Sequence, residues 1–155
     1  MEVKEDYFVE ELTFDELKVG LEFPPATYEL SEDTVSKYID VVDDRNPLYT
    51  DEDEAKSSGF GGVIAPAAII CLFTNPSSLL SGLRPKKRPP SGSIHVAQKY
   101  TFINVIRPGD VITLRSKVVD KYLKKGRKYV HIETGCYTEN EGKVASGEIV
   151  GIWAK

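Results

Sequence analysis

Cysteine and histidine are scarce in this sequence, and it has no long hydrophobic run. Among 155 residues there are two cysteines and two histidines. Cys71 and Cys136 lie far apart and belong to no Cys-x-x-Cys pair or Cys/His cluster, which disfavours both a disulfide framework and a structural zinc site. We therefore expect no metal and a reducing compartment, the cytoplasm. The longest apolar run, residues 63–73, is too short to cross a bilayer.

The charge is distributed unevenly along the chain. Residues 1–60 contain 18 acidic and 5 basic side chains, whereas residues 61–155 contain 6 and 15. This asymmetry indicates either that the halves fold against each other or that the basic part binds a phosphate-bearing ligand. The isoelectric point of about 5.3 argues against general nucleic-acid binding. Residues 1–11 contain five acidic side chains and no basic region before an apolar stretch, so a secretory signal is not expected.

Length and composition predict one globular domain. The sequence is 41% hydrophobic, which is enough to form a core, and 28% charged, which is near the average for globular proteins. We predict a single domain over residues 1–155, with residues 1–19 as an N-terminal extension.

The first half of the domain is predicted to contain an edge strand and three helical segments. Residues 22–30 are extended but proline-containing, as in an edge strand. Ser31 is a good N-cap for a helix whose apolar residues recur at three- and four-residue spacing up to Val42, before Pro47 breaks it. A short acidic helical turn covers residues 51–56. Residues 67–73 are apolar on every side, which predicts a buried helix.

The second half is predicted to be mainly sheet. Prolines and serines in residues 76–90 indicate a long surface loop. Alternating and β-branched residues then predict an antiparallel meander of four strands, over residues 94–102, 111–120, 129–138 and 144–153. A sheet curled around one all-apolar helix is an α+β arrangement, the hot-dog fold.

Three short segments carry a resemblance to a known family. They are Asp-Arg-Asn-Pro-Leu-Tyr at residues 44–49, Phe-Gly-Gly-Val-Ile-Ala-Pro at residues 60–66 and Arg-Pro-Gly-Asp at residues 107–110. Together they resemble the MaoC-like, (R)-specific enoyl-CoA hydratase and dehydratase family, over roughly residues 20–153. The resemblance implies a hot-dog fold and hydration of a trans-2-enoyl thioester, or the reverse dehydration. An aspartate and a histidine then hold the water, and a backbone N–H at the start of the buried helix polarises the thioester carbonyl.

When the family's catalytic positions are carried over residue by residue, only some of them hold the same residue type in this sequence. Asp44 matches the aspartate and Asn46 the asparagine, but Tyr49 replaces the histidine, and a phenol has a reference pKa near 10. Pro66 occupies the place of the glycine whose N–H meets the thioester oxygen, and proline has no N–H. The resemblance also implies that residues of this second segment contact the substrate, namely Gly62, Val63, Ala65, Pro66 and Ala67.

These departures resemble the degenerate halves of double hot-dog hydratases and the non-catalytic subunits of heteromeric dehydratases. They imply an acyl-thioester-binding subunit with no cofactor, whose ligand is an acyl-CoA or acyl-carrier-protein thioester. The implied partner is a histidine-bearing hot-dog chain, with a homodimer as the alternative and no nucleic acid or membrane. Two other functions stay open: a self-sufficient hydratase that uses Asp44 and Tyr49, and an acyl-CoA-binding module without chemistry.

Several candidate residues have simpler interpretations. Arg84, Lys86, Lys87 and Arg88 are either a solvated loop or a binding site for coenzyme A phosphates; Arg107 and the basic run at residues 121–128 share this ambiguity. Asp44 could be a turn residue and Tyr49 a packed aromatic. His95 and His131 are expected on strand faces, and Cys71 in the core.

Overall fold

The computed structural model describes residues 9–155, and an antiparallel sheet of five strands dominates it. The strands of the chain are β1 (Glu10–Glu11), β2 (Ala26–Glu29), β3 (Lys87–Arg88), β4 (Ile94–Phe102), β5 (Val111–Lys124), β6 (Arg127–Thr138) and β7 (Gly142–Trp153). The large sheet has the order β2-β5-β6-β7-β4, and β1 pairs with β3 separately. The predicted edge strand and the α+β hot-dog fold are confirmed.

The predicted four-strand meander is wrong in one connection. Strands β5, β6 and β7 do form a meander, but β4 pairs with β7 and not with its sequence neighbour β5. Residues 103–110 make the crossing, and the N–H groups of Ile103 and Asn104 both donate to the Val144 carbonyl. The register places Tyr100 opposite Gly147, where a Cβ would collide with the tyrosine ring. A bare glycine therefore leaves space for the aromatic side chain of β4.

Short helices connect the strands. Helices α1 (Glu32–Val42), α2 (Glu52–Ser57) and α3 (Pro76–Leu79) are accompanied by 3₁₀ helices at Pro47–Tyr49, Ala67–Leu72 and Leu80–Gly82. Helix α1 is confirmed, with the Thr34 N–H donating to the Ser31 hydroxyl over 3.2 Å. The predicted loop at residues 76–90 is instead partly helical. No helix in residues 9–155 has the length and apolar character needed to span a bilayer.

The predicted buried helix at residues 67–73 is wrong in type and in burial. Ala67–Leu72 is a 3₁₀ helix, which has three residues per turn and is tighter than an α-helix. Ile69 and Ile70 are 0% and 1% exposed because they face the concave side of the sheet, whereas Leu72 is 48% exposed. Among residues 9–155, nothing covers the outer side of this helix, where Ala67, Ala68 and Leu72 are exposed. Periodicity could not reveal this, because every residue in the segment is apolar.

The core lies between the concave face of the sheet and the segment from Ala67 to Gly82. Part of the predicted N-terminal extension belongs to it, since Leu12, Phe14 and Leu17 are buried. The Trp153 indole N–H donates to the Leu12 carbonyl over 2.6 Å, which ties residue 12 to the end of β7. Residues 1–8 of that extension, including most of the acidic start, lie outside the described residues.

Replacing Gly82 by alanine is expected to destabilise the protein by about 1–3 kcal/mol, the usual cost of overpacking. A Cβ at Gly82 would lie 2.6 Å from the Pro24 carbonyl oxygen, which belongs to backbone and cannot move aside easily. Gly151→Ala is the matched control, because its nearest neighbour would be 3.5 Å away. Urea unfolding of the two variants checks this, and equal stabilities would contradict it.

Candidate active site

The segment at residues 44–49 is a turn held by its own polar side chains. The Asp44 N–H donates to the Ile39 carbonyl over 3.2 Å at the end of α1. Asp44 Oδ1 accepts the Asn46 N–H over 3.3 Å, and Asn46 Oδ1 accepts the Leu48 N–H over 3.0 Å. Asn46 therefore caps the 3₁₀ helix Pro47–Tyr49 and is exposed, whereas Asp44 and Tyr49 are half-buried.

The three segments of the sequence motif meet at one end of the sheet. The Ile64 N–H donates to the Leu48 carbonyl over 3.0 Å, and the Ala65 N–H donates to the Ile106 carbonyl over 2.8 Å. Arg107 Nη2 donates to the Phe60 carbonyl over 2.9 Å. Residues 60–66 thus form a strap between the Asp44 turn and the turn at residues 107–110.

A cavity of about 500 Å³ opens under this strap. That volume is within the range of small-molecule sites. Its lining is mainly apolar and includes Tyr49, Phe60, Ile64, Ala65, Ala67 and Arg107. Val63 lies on a second cavity of about 320 Å³, which also reaches Tyr49 and Pro108. Tyr49 therefore stands between the two spaces.

The predicted substrate-contacting residues are only partly on this cavity. Ala65 and Ala67 line it, whereas Gly62 lies against the Glu52 carboxylate, 3.2 Å from where its Cβ would be. Pro66 is buried at the start of the 3₁₀ helix. Ala67 supplies the first N–H of that helix, and this N–H has no main-chain acceptor in residues 9–155. One backbone donor therefore remains next to the proline that replaces the family glycine.

The phenols of the site are held in their protonated form. Burial raises the pKa of Tyr49, and the nearby Asp44 charge raises it further. Tyr38 of α1 behaves similarly, since burial and the proximity of Cys71 and Asp44 raise its pKa. Sequence reasoning missed Tyr38, which reads as one more apolar position of α1. At neutral pH both phenols can donate a hydrogen bond but cannot act as a base.

Neither histidine of the chain lines the Tyr49 cavity. His131 is on the outer face of the sheet, with Nδ1 2.7 Å from Glu148 Oε1 and Nε2 3.3 Å from the Tyr122 hydroxyl. His95 is in β4 and borders a different cavity, near Pro90 and Trp153. Of the motif's Asp44, Asn46 and Tyr49, only Tyr49 lines the cavity; Asp44 is on the adjoining turn, and no imidazole of the same chain lines the cavity. No group of three or more His, Cys, Asp or Glu side chains in the described part could hold a metal ion.

The two thiols are not activated. Burial raises the pKa of Cys71, although Gln98 Nε2 lies 3.5 Å from its sulfur. Burial likewise raises the pKa of Cys136 to about 12. Cys71 is half-buried, not enclosed in the core. A thiolate nucleophile is therefore not supported at either position.

The basic cluster at residues 84–88 makes its contacts outside the Tyr49 cavity. Lys87 Nζ lies 3.1 Å from both Glu10 and Glu16, and Arg88 lies 3.5 Å from Glu11. Arg84 donates to the carbonyls of Ser81 and Leu83, each over 2.8 Å, while Lys86 is exposed. None of the four lines the Tyr49 cavity. Their binding to coenzyme A phosphates stays a prediction. Arg84 and Lys86 are the better candidates, because neither forms a salt bridge with a carboxylate of residues 9–155, whereas Lys87 and Arg88 do.

The contribution of Glu16 to the stability of the fold is expected to depend on pH in a measurable way. The Thr13 N–H, the Thr13 hydroxyl and then Lys87 lower the pKa of Glu16 from 4.5 to about 2. A lowered carboxyl pKa stabilises the fold above pH 4.5, and this contribution is lost as the pH falls toward 2. Glu16→Gln should therefore be less stable than wild type at pH 7, by less than about 1 kcal/mol because exposed pairs are screened.

Unfolding curves between pH 7 and pH 3 check this expectation. The difference between wild type and Glu16→Gln should narrow as the pH falls, because the lowered pKa of Glu16 contributes less and less stability. A constant difference across this range would contradict the assignment.

Comparison with known proteins identifies the family. The model of the FAS1-like, dehydratase domain region matches residues 18–147. The chain belongs to this family. A UPF0336 protein from Streptomyces coelicolor is 27% identical over 146 residues, which cover 93% of this chain and 94% of that protein.

Solved structures share the fold of this FAS1-like dehydratase chain. The (R)-hydratase PhaJ1 from Pseudomonas aeruginosa has a TM-score of 0.75 and 22% identity, covering 94% of this chain and 87% of that one. The C-terminally truncated HadBC (3R-hydroxyacyl-ACP dehydratase) complex from Mycobacterium tuberculosis has a TM-score of 0.71 and 16% identity, covering 85% and 94%. At these identities the likeness establishes the fold. The predicted MaoC-like resemblance is confirmed.

Proposed function

We propose that this chain is the acyl-thioester-binding subunit of a heteromeric (R)-specific enoyl hydratase or dehydratase. A histidine-bearing hot-dog partner performs the chemistry, while this chain shapes the acyl and carrier tunnel. The observation that carries the proposal is the cavity lined by Tyr49, next to the Asp44 turn, which none of the chain's own imidazoles lines. The family membership and the heteromeric HadBC neighbour support it.

The chemistry of the cavity favours binding over proton transfer. Adding water to an enoyl thioester requires one group to take a proton from water and another to deliver a proton to the carbon next to the carbonyl. Asp44 is a candidate base, but Tyr49 stays protonated because burial raises its pKa. The Ala67 N–H can still polarise a carbonyl, as oxyanion donors do. The cavity therefore lacks an imidazole, the side chain that most readily takes up and releases a proton near neutral pH.

An exposed apolar surface along β4 gives the partner a place to bind. Strand β4 is an edge of the large sheet, with an unpaired row of backbone groups. Several large apolar side chains of β4 and adjoining segments are each about half exposed to solvent: Leu72, Ile94, Val96, Phe102 and Ile103. Exposed apolar patches of this kind mark interaction sites. Since Phe102 and Ile103 also line the Tyr49 cavity, a partner seated on β4 would lie next to the bound acyl group.

Affinity purification of the tagged full chain from its own host tests the partnership. We expect a second hot-dog chain that carries Asp-x-Asn-Pro-x-His to co-purify in equal amount. Recovery of a homo-oligomer that turns over crotonyl-CoA by itself would support the self-sufficient hydratase instead. Recovery of a homo-oligomer that binds acyl-CoA and is inactive in every mixture would favour the binding module.

A further inference from the structure

Arg107 lines the Tyr49 cavity, and one of the donors of its guanidinium has no partner. Its Nη2 is bound to the Phe60 carbonyl over 2.9 Å, which fixes the plane of the guanidinium. Its Nη1 is buried and forms no hydrogen bond. Among the half-buried and buried residues of the described chain, no other side-chain nitrogen or oxygen is both buried and without a hydrogen-bond partner. A shielded cationic donor without an acceptor is costly. The arrangement therefore calls for an acceptor that the chain itself does not supply.

No carboxylate of residues 9–155 neutralises this guanidinium. None lies within 4 Å of it, since Asp110 Oδ2 instead accepts the Arg107 backbone N–H over 2.8 Å. Glu141 is the other charged residue on the cavity wall. The other cations near the Asp44 turn are already paired: Lys37 with Asp33, Arg45 with Asp40 and Asp43, and Lys56 with Glu52. Within residues 9–155, Arg107 is thus an unpaired positive charge on a mainly apolar cavity wall that also carries Glu141.

We propose that Arg107 binds an anionic oxygen of the ligand in this cavity. The inference rests on the proposed acyl-thioester function and adds a specificity residue to it. Guanidinium groups suit both phosphates and carboxylates, so the oxygen belongs either to a phosphate of the carrier or to a carboxylate on the acyl group. Because Nη1 is shielded in the structure, the proposal requires the groups around it to shift when the ligand binds.

Three probes separate the two sources of the oxygen. Crotonyl-CoA carries phosphates, crotonyl-pantetheine carries no anion, and glutaconyl-pantetheine carries an acyl carboxylate without phosphate. Their Kd values are measured by calorimetry on the wild-type full chain, with its partner if one co-purifies, and on Arg107→Gln. We expect Arg107→Gln to lose about tenfold in affinity for the anionic probe that Arg107 recognises. Its affinity for crotonyl-pantetheine should not change.

Two further variants distinguish recognition from a purely structural role. Arg107→Lys keeps the positive charge at the same position and should therefore retain part of the affinity for the anionic probe. This variant provides the test if Arg107→Gln folds poorly. Arg115→Gln is the matched control, since Arg115 lies over the Tyr137 ring on the outer face, away from this cavity. A structural role would lower the unfolding midpoint and weaken all three probes equally.

The outcomes separate this inference from the proposed function. Equal Kd values for wild type and Arg107→Gln with both anionic probes, or an equal loss with all three probes, would overturn the role of Arg107 and leave the proposed function standing. Absence of binding of every probe to the wild-type protein would overturn the proposed function and the Arg107 role together.

Discussion

Mixing the purified chain with the proposed histidine-bearing partner is expected to raise the rate of crotonyl-CoA hydration by about 10²–10⁴-fold over this chain alone. That range is the usual contribution of a positioned general acid and base. Tyr49 cannot supply it, because burial raises the pKa of its phenol and keeps the proton in place. The measurement is the initial loss of enoyl thioester absorbance with each chain alone and with the two together.

The control for this experiment is the partner with its histidine replaced by alanine. That mixture should be as slow as the present chain alone, because neither chain then places an imidazole at the active-site cavity. A mixture that retained the full rate would place the proton transfer in this chain and contradict the division of labour.

Val96→Asp is expected to weaken the association with the partner by roughly 30-fold or more, since burying an unpaired carboxylate costs about 2 kcal/mol or more. Val96 is 47% exposed on β4, at the bulge in its pairing with β7. It does not line the Tyr49 cavity, so the substitution tests the interface and not the ligand site. Analytical ultracentrifugation of the mixture gives the dissociation constant.

Leu123→Asp is the matched control for the interface. Leu123 is 68% exposed and lies near the β5–β6 turn, not on β4. Its replacement introduces the same charge at an equally apolar position and should leave the association unchanged. If both variants weakened the association equally, or if neither did, β4 would not be the contact surface.

Strand positions and the motif segments could be predicted from the sequence for a physical reason. Alternation along β5, β6 and β7 is a local property, and the 107–110 turn is marked by its own proline and glycine. The neighbour of β4 is a tertiary choice that no local pattern specifies. It depends on details such as the glycine at position 147, which leaves room for the Tyr100 ring.

The state of residues 67–73 illustrates the limit of pattern reasoning. An all-apolar run indicates burial on every side only if the chain covers every side by itself. Here Leu72 is left in solvent, and so are Val96 and Phe102 on the neighbouring edge. Such a run is equally consistent with a helix whose second side another molecule covers.

The candidate site divides in the same way. Asp44, Asn46 and Tyr49 could be found from the motif, and the structure brings their turn together with residues 60–66 and 107. Tyr38 and the unpartnered Nη1 of Arg107 could not be found, because both depend on distances between elements. The separation of the basic cluster at residues 84–88 from the cavity is also a tertiary fact, which the sequence interpretation did not contain.

The turnover of the purified chain alone is the most direct measurement of the central claim. We predict that it hydrates crotonyl-CoA no faster than its Asp44→Asn variant, and far below the ordinary range of about 1–10³ s⁻¹ for kcat. Turnover within that range, abolished in Asp44→Asn, would show that Asp44 and Tyr49 suffice without a second kind of chain.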